Sequence, residues 1–164
     1  MDGGRWYRTV SAATPVTPEQ EIKHGLELSD DFKGPQLGLQ WTFWKEYAPQ
    51  SLSFKKQTLW IDAKGSTPSD ARLLLATAED KNYETQVEVN VGKGNTAGLL
   101  LYYSEKAYAG VVSDGKNFTI YRNAENSFTL PNKLGKRFLA KIQNQGNSVR
   151  IAVSKDGKEW TTLV

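Results

Sequence analysis

Apolar and polar residues alternate most regularly between Tyr83 and Val91. The odd-numbered positions of this segment carry Tyr, Thr and three Val, and the even-numbered positions carry Glu84, Gln86, Glu88 and Asn90. A period of two is typical of a β-strand with one buried and one solvated face. We therefore predict a strand over Tyr83–Val91 whose odd-numbered side chains face a core.

The segment Ala97–Tyr103 follows a different pattern, because Leu99, Leu100 and Leu101 supply apolar side chains to both faces. A strand of this kind is usually central in a sheet and covered on both sides. If Leu99 and Leu101 face the interior, alternation predicts that Tyr103 does so too and that Tyr102 points outward, or the reverse.

Turn signals separate the remaining apolar runs and recur roughly every 8–12 residues, which is typical of an antiparallel sandwich or barrel. Asp114-Gly115 predicts a hairpin between two β-rich runs, and Gly92-Lys93-Gly94 predicts another. Several strands are apolar on one face only, so we predict an all-β, antiparallel two-sheet β-sandwich. The other predicted strands are Leu39–Trp44, Ser51–Phe54, Thr58–Ala63, Arg72–Ala76, Phe138–Gln143, Ser148–Ser154 and a start at Trp160, with Phe32 as a core anchor.

The amino-acid composition excludes several classes of site and function. The 164 residues include 5 Trp, 7 Tyr, 6 Phe, 14 Gly and 6 Pro, which suits a β-rich chain with many turns. The absence of Cys excludes disulfides and thiolate metal sites. The 21 basic and 18 acidic residues are interspersed, which argues against a nucleic-acid-binding surface. No apolar run approaches the ~18 residues of a membrane span.

The sequence contains few side chains that could act as catalytic acids, bases, nucleophiles or metal ligands. Glu84 and Glu88 share one strand face but lie roughly 13 Å apart along the backbone, whereas a retaining glycosidase needs its carboxyl groups about 5–5.5 Å apart. His24 is the only histidine, so neither a His-dependent nucleophile nor a His-based zinc site is expected. Adjacent Asp30 and Asp31 are candidate oxygen ligands for a structural calcium ion. No cofactor is otherwise expected.

Aromatic side chains are the best candidates for ligand contact, because flat rings stack on the C–H faces of sugars. Any single ring is more often packed in the protein than available to a ligand. Together with a cation, the candidate carbohydrate-binding residues are Trp44, Tyr47, Tyr102, Tyr103, Tyr108, Tyr121 and Arg122.

The order of Leu28–Phe32, Trp41, Leu59–Ala63, Thr96–Leu101 and Ser154–Trp160 resembles a known module. It is similar to the C-terminal concanavalin A-like β-sandwich, a jelly roll, of family 43 glycoside hydrolases, the β-xylosidase and arabinofuranosidase group. The resemblance covers residues 26–164. It implies that residues 1–25 are a linker and the tail of an upstream catalytic domain, with Arg5-Trp6-Tyr7 as its closing strand, and that a final strand follows Val164.

In that family an upstream β-propeller in the same polypeptide hydrolyses the substrate with three acidic residues, and no position here matches them. The resemblance therefore implies a non-catalytic accessory module of a xylan- or arabinan-degrading glycosidase, secreted or periplasmic in a bacterium, with its signal peptide outside this chain. The loop that borders the substrate pocket in some members corresponds to Ala76–Asn82, which lacks their aromatic residue. The alternatives are an independent carbohydrate-binding module and, less in keeping with the carboxylate spacing, a self-sufficient sandwich glycanase.

Overall fold

A computed structural model describes residues 28–78 and 80–164 of the chain. The segment interpreted as the tail of an upstream domain, including His24, lies outside the described residues. Within the described ranges, no helix has the length and apolar character needed to cross a bilayer.

Twelve strands and one turn of 3-10 helix (Pro49–Ser51) follow one another along the described chain. The strands are β1 (Trp41–Phe43), β2 (Leu52–Phe54), β3 (Leu59–Ile61), β4 (Leu74–Ala76), β5 (Asn82–Asn90), β6 (Ala97–Ser104), β7 (Ala107–Ser113), β8 (Asn117–Asn123), β9 (Asn126–Pro131), β10 (Arg137–Gln145), β11 (Ser148–Ser154) and β12 (Trp160–Thr162).

Two four-stranded sheets form the body of the fold. One has the strand order β12-β11-β10-β5 and the other has the order β6-β7-β8-β9. Two short ribbons, β1-β4 and β2-β3, accompany them, and every pairing is antiparallel. The predicted all-β, antiparallel architecture is confirmed.

The core lies between the two four-stranded sheets. Phe118 of β8 and Phe138 of β10 meet edge to face with their ring centroids 5.1 Å apart, so one aromatic pair joins the sheets. The buried members of the cluster are Val89, Val91, Val111, Phe118, Ile120, Phe138, Ala140, Ile142, Ile151 and Val153. Aliphatic β-branched residues dominate this list, as expected for side chains that pack on pleated surfaces.

The alternation predicted for Tyr83–Val91 is confirmed from Val87 to Val91, whereas Thr85 is exposed. Val89 and Val91 are buried, Val87 packs against them, and the even-numbered residues from Glu84 to Asn90 are exposed. The predicted hairpin at Asp114-Gly115 is also confirmed, since it joins β7 to β8. The Asp114 carboxylate accepts hydrogen bonds from the backbone N–H groups of Lys116 (2.7 Å) and Asn117 (2.6 Å) and thereby holds the turn.

Two predictions about sheet position are wrong. Among the described strands β6 pairs only with β7, so the Leu triplet lies at a sheet edge rather than at its centre. The Gly92-Lys93-Gly94 segment is not a hairpin, because it connects β5 in one sheet to β6 in the other. Both errors have one cause: a tight-turn sequence and an apolar run do not specify which strands pair.

Two further differences concern individual elements. Phe32 is half-buried and packs against Trp41, with ring centroids 5.8 Å apart, so it is not a core anchor. Strand β9 was not predicted, because it has only two apolar residues before its terminal Pro131, Phe128 and Leu130, which flank Thr129. Its pairing with β8 forms a second edge of the sheet.

Candidate functional site

Four of the candidate aromatic residues form one array, composed of Trp44, Tyr102, Tyr108 and Tyr121. Tyr102 and Tyr108 are direct cross-strand partners in the β6–β7 pair, and Tyr121 lies opposite Gly110 in the β7–β8 pair. These positions share the outer face of the sheet, away from the core. Trp44 follows β1, and its backbone N–H donates a hydrogen bond to Leu73 O (3.1 Å).

The rings of this aromatic array cover one another. Trp44 meets Tyr102 edge-on at 5.3 Å, Tyr102 stacks on Tyr108 at 5.7 Å, and Tyr108 meets Tyr121 edge-on at 5.3 Å between ring centroids. Only 6% of Tyr108 is exposed to solvent. A sugar needs an open ring face for stacking, so the array packs as an outer aromatic layer rather than as an open platform.

Polar contacts of Tyr108 come from the turn after β8 and from the loop that contains Ser69. The Tyr108 hydroxyl donates to Ala124 O (3.5 Å) and lies 3.4 Å from Ser69 Oγ, which itself donates to Glu105 O (2.9 Å). Trp44 Nε1 and Tyr102 Oη are buried, and neither has a hydrogen-bond partner among the described residues. Burial raises the pKa of the Tyr102 and Tyr121 hydroxyls, and nearby Glu105 raises the pKa of Tyr102 further.

Tyr47 and Tyr103 are the candidates with open rings, at 79% and 86% exposure. Tyr47 belongs to the loop after β1 and touches Phe43 edge-on at 5.6 Å. The expectation that Tyr103 faces the interior alongside Leu99 and Leu101 is wrong. The register shifts between Tyr102 and Ser104, and this bulge turns the Tyr103 side chain into solvent.

Two ion pairs anchor the loop that carries Tyr47, one through Lys45 and one through Glu46. Lys45 forms an ion pair with Glu105, and Lys64 Nζ donates to Glu46 Oε2 at 2.8 Å. Hydrogen bonding to Glu105 raises the pKa of Lys45, and hydrogen bonding to Lys64 lowers the pKa of Glu46. Lys45 also adopts a left-handed backbone conformation (φ +64°), which is uncommon for a residue other than glycine.

Arg122 does not join the aromatic array. Its guanidinium carbon lies 5.2 Å from the ring centroid of Phe128 on the neighbouring strand β9, which is a cation–π contact. The structure therefore separates the candidates into a buried array, two exposed tyrosines and one stacked arginine. Carbohydrate binding by any of them stays a prediction.

Asp30 and Asp31 face hydrogen-bond donors. Asp30 accepts hydrogen bonds from Phe32 N (2.8 Å), Gln40 Nε2 (3.3 Å) and Trp41 Nε1 (2.9 Å). Asp31 is 2.5 Å from Lys33 Nζ, and hydrogen bonding to this ammonium lowers the pKa of the carboxyl group. Calcium prefers six to eight oxygen ligands, and the described residues contain no cluster of three acidic or His side chains. A calcium ion would have to displace these N–H donors, so calcium binding here stays a prediction.

Glu84 and Glu88 both form ion pairs with strand β10. Glu84 accepts from Lys141 Nζ (2.9 Å) and Gln143 Nε2 (2.6 Å), and Glu88 receives two bonds from the guanidinium of Arg137 (2.7 and 3.1 Å). Both carboxylates lie on the solvated face, and hydrogen bonding to Lys141 lowers the pKa of Glu84. A low pKa keeps Glu84 ionised, which is the opposite of what a general acid requires.

Sequence reasoning missed Ser69 and the loop around it. Ser69 contacts Glu105 and Tyr108, which are 36 and 39 residues away along the chain. A serine in a polar, turn-rich segment carries no local signal for contacts at that range. Trp60 is also 54% exposed on β3, although the apolar run that contains it was interpreted only as a strand.

Comparison of the sequence with protein families shows which family the chain belongs to. The family described as the beta-xylosidase C-terminal concanavalin A-like domain matches residues 29–164. The chain belongs to this family. No curated protein matches the chain in a sequence search.

Solved structures share the fold of this concanavalin A-like domain. The GH43 BlXynB protein from Bacillus licheniformis superposes with a TM-score of 0.68 at 19% sequence identity, covering 81% of this chain and 29% of that one. A single-residue mutant of the same protein gives a TM-score of 0.66 with the same identity and coverage. The chain thus spans less than a third of the length of these proteins.

Proposed function

We propose that this concanavalin A-like domain is the non-catalytic accessory module of a family 43 glycosidase that acts on xylan or arabinan. It packs on a catalytic β-propeller of the same polypeptide and borders the substrate pocket of that propeller. Membership of a family of C-terminal domains over residues 29–164 carries the proposal. The polysaccharide substrate class also leads us to propose a secreted or periplasmic location in a bacterium.

The geometry of the acidic residues supports an accessory role. Glu84 and Glu88 are held in ion pairs with Lys141 and Arg137 on an open sheet face. A glycosidase needs one carboxylic acid to protonate the leaving group and a second carboxylate across the scissile bond. Hydrogen bonding to Lys141 lowers the pKa of Glu84, so this carboxylate does not supply the protonated acid.

Hydrolysis assays test the accessory role directly. The 164-residue chain, incubated with chromogenic xylosides and arabinofuranosides, is expected to release no chromophore above a buffer control. In the parent glycosidase, deletion of residues 28–164 should lower both the thermal stability and kcat/KM of the catalytic domain. Turnover by the chain alone would contradict the proposal, as would a parent protein without any catalytic domain.

An independent carbohydrate-binding module is the second candidate, and the exposure of Tyr47 and Tyr103 favours it. Titration of the chain with xylo- and arabino-oligosaccharides, followed by intrinsic fluorescence and calorimetry, tests this alternative. Binding that is lost in Tyr47→Ala or Tyr103→Ala and kept in Trp60→Ala would support it. No response at millimolar sugar would count against it.

A further inference from the structure

Exposed large apolar side chains are concentrated near the start of the described chain. Of the seven such side chains among the described residues, five lie in the first quarter of that stretch: Leu28, Leu39, Tyr47, Trp60 and Ile61. The other two are Tyr103 and Leu130. Single exposed apolar residues need no explanation, whereas a group of them in one region is typical of an interaction surface.

Contacts bring three of the exposed segments together around the loop that carries Tyr47. At one end of this loop, Ser51 O accepts a hydrogen bond from the backbone N–H of Asp62 (2.9 Å), which directly follows strand β3. At the other end, Lys45 forms its ion pair with Glu105, which follows the bulge at the end of β6. These segments carry the exposed rings of Tyr47, Trp60 and Tyr103, which we call the exposed aromatic surface.

The exposed aromatic surface has the properties of a contact between proteins. Tyrosine and tryptophan are enriched in such contacts and provide much of their binding energy. The charges beside Tyr47 are already neutralised by the Lys45–Glu105 and Glu46–Lys64 ion pairs, so a neighbour that covers them leaves no unpaired charge. The ion pairs also anchor the loop beforehand, and a preorganised loop loses less entropy on binding.

The opposite sheet has a different surface. Among the described residues, strands β5, β10, β11 and β12 carry none of the exposed large apolar side chains. Their outward side chains instead include the ion pairs of Glu84 with Lys141 and of Glu88 with Arg137. Charged residues are depleted from the centre of protein contacts, so cover by another domain suits the exposed aromatic surface better than this sheet.

The polypeptide that precedes the described residues joins the domain beside strand β1. The Asp30 carboxylate accepts hydrogen bonds from Phe32 N (2.8 Å) and Trp41 Nε1 (2.9 Å), which fasten the start of the described chain to β1. Phe43, at the other end of β1, meets the ring of Tyr47 at 5.6 Å. The family that matches the chain consists of C-terminal domains, so the polypeptide that enters here is the route to the rest of the protein.

We propose that the exposed aromatic surface packs against the catalytic domain that precedes this domain in the same polypeptide. The proposal rests on the accessory role proposed above and adds the surface through which the two domains meet. A partner tethered beside β1 has a high effective concentration at this surface, whereas a free sugar or a second copy has no such advantage.

Hydroxyl-radical footprinting, followed by mass spectrometry, tests this surface without any substitution. Tyr47 and Tyr103 should be oxidised rapidly in the 164-residue chain and at least about fivefold more slowly in the parent glycosidase, because the core of an interface excludes water. Leu130 is the internal control, since it is 38% exposed and lies on β9, the strand of its sheet farthest from β6. Its rate of oxidation should be the same in both proteins.

Substitution gives an independent measurement. In the parent glycosidase, Tyr47→Lys should lower the Tm of the catalytic domain by at least about half of the drop caused by deletion of residues 28–164, because it places an unpaired charge in the contact. The matched control is Leu130→Lys, which should leave that Tm unchanged. An unchanged Tm in Tyr47→Lys would contradict the proposal.

The footprinting distinguishes the other possible occupants of the surface. Equal rates at both tyrosines in the two proteins would overturn the proposal. Slow oxidation already in the 164-residue chain would assign the cover to residues 1–27, or to a second copy if the rate depends on concentration, and protection that needs added xylo-oligosaccharide would assign it to sugar; each of these results would also overturn it. If deletion of residues 28–164 destabilises the catalytic domain while both tyrosines stay reactive in the parent, the accessory role stands and only this surface is wrong.

Discussion

At the scale of single residues, the hydroxyl of Tyr102 and the indole N–H of Trp44 are the least satisfied groups of the described chain. Both are buried without a hydrogen-bond partner there. Leaving a buried polar group unpaired costs about 1–3 kcal/mol, whereas removing it without changing the shape of the side chain is close to neutral or stabilising. The aromatic rings of both residues still pack against their neighbours in the array.

Tyr102→Phe should therefore raise the free energy of unfolding, by up to about 1 kcal/mol. The matched control is Tyr108→Phe, which removes a hydroxyl that contacts Ala124 O and Ser69 Oγ and should lower the free energy of unfolding. Urea denaturation of the three proteins measures both changes. Equal destabilisation by the two variants would show that Tyr102 has a partner that the described residues lack.

Asp70 organises the loop that contains Ser69. Its carboxylate accepts hydrogen bonds from Thr67 N (2.7 Å), Thr67 Oγ1 (2.8 Å), Ser66 N (3.0 Å) and Ser66 Oγ (3.2 Å). These bonds, first of all the one from the backbone of Thr67, lower the pKa of Asp70 from its ordinary 3.8 to about 2. A depressed pKa means that the ionised carboxylate stabilises the fold above the unfolded pKa.

That stabilisation should be complete above about pH 4 and should disappear as the pH falls towards 2. The difference in Tm between the chain and Asp70→Asn is therefore expected to be constant at neutral pH and to shrink between pH 4 and 2. Thermal scans at closely spaced pH values measure it. A difference that stays unchanged at pH 2 would show that the carboxylate acts through its shape and not its charge.

At this scale the sequence indicated which aromatic residues to consider, but not which residues they contact. The tyrosines and Trp44 were selected because aromatic rings suit sugar contact, and the structure places four of them against each other. Tyr103 was assigned to the wrong side because a bulge breaks alternation at the end of β6. A bulge inserts a residue without a reliable sequence signal, so alternation alone could not locate it.

At the scale of elements, strands β6 and β7 approach each other closely because a glycine lies at the contact. Gly110 is opposite Leu100 and has φ +152°. A Cβ atom at this position would lie 2.3 Å from Leu99 O and 2.8 Å from Leu100 Cα. Both are backbone atoms of a paired strand, so neither can move without breaking the β6–β7 ladder.

Gly110→Ala should lower the free energy of unfolding by about 3 kcal/mol or more, since it combines a backbone clash with a disfavoured conformation. Gly94→Ala is the matched control, because Gly94 also has a positive φ (+77°) but a Cβ there meets nothing within 4 Å. That control should cost only about 1 kcal/mol. Similar losses in chemical denaturation would contradict the importance of the close approach.

Element positions were predicted better than element pairings. The hairpin at Asp114-Gly115 was predicted correctly, because the geometry of that turn is encoded within a few residues. Gly92-Lys93-Gly94 has the same local signature but connects two sheets. The partner of β5 is β10, and Val89 pairs with Phe138, so the deciding contact lies far outside any local window.

At the scale of the whole molecule, the two sheets depend on one shared core. Phe118 and Phe138 come from different sheets and meet at 5.1 Å, within a cluster to which strands of both sheets contribute. Two sheets that bury their inner faces against each other should lose structure together. Separate unfolding of the two sheets is not expected.

Phe118→Ala should lower the free energy of unfolding by about 3–5 kcal/mol, and the transitions followed by tryptophan fluorescence and far-UV circular dichroism should coincide. Leu130→Ala is the control. Leu130 is the cross-strand partner of Phe118 but is 38% exposed, so this variant should cost much less. Two separate transitions in either variant would show that the sheets unfold independently.

The crossing from β5 to β6 has a consequence for the order of folding. Strands β6 to β9 are joined by consecutive short turns and can pair as soon as each is made. Among the described strands, the partner of β5 is β10, beyond four intervening strands. Closing that long loop is entropically unfavourable until the intervening strands are compact. During synthesis the valines of β5 leave the ribosome well before their partners exist. A chain that stops between these strands exposes the apolar face of β5, and an exposed apolar face of this kind promotes aggregation.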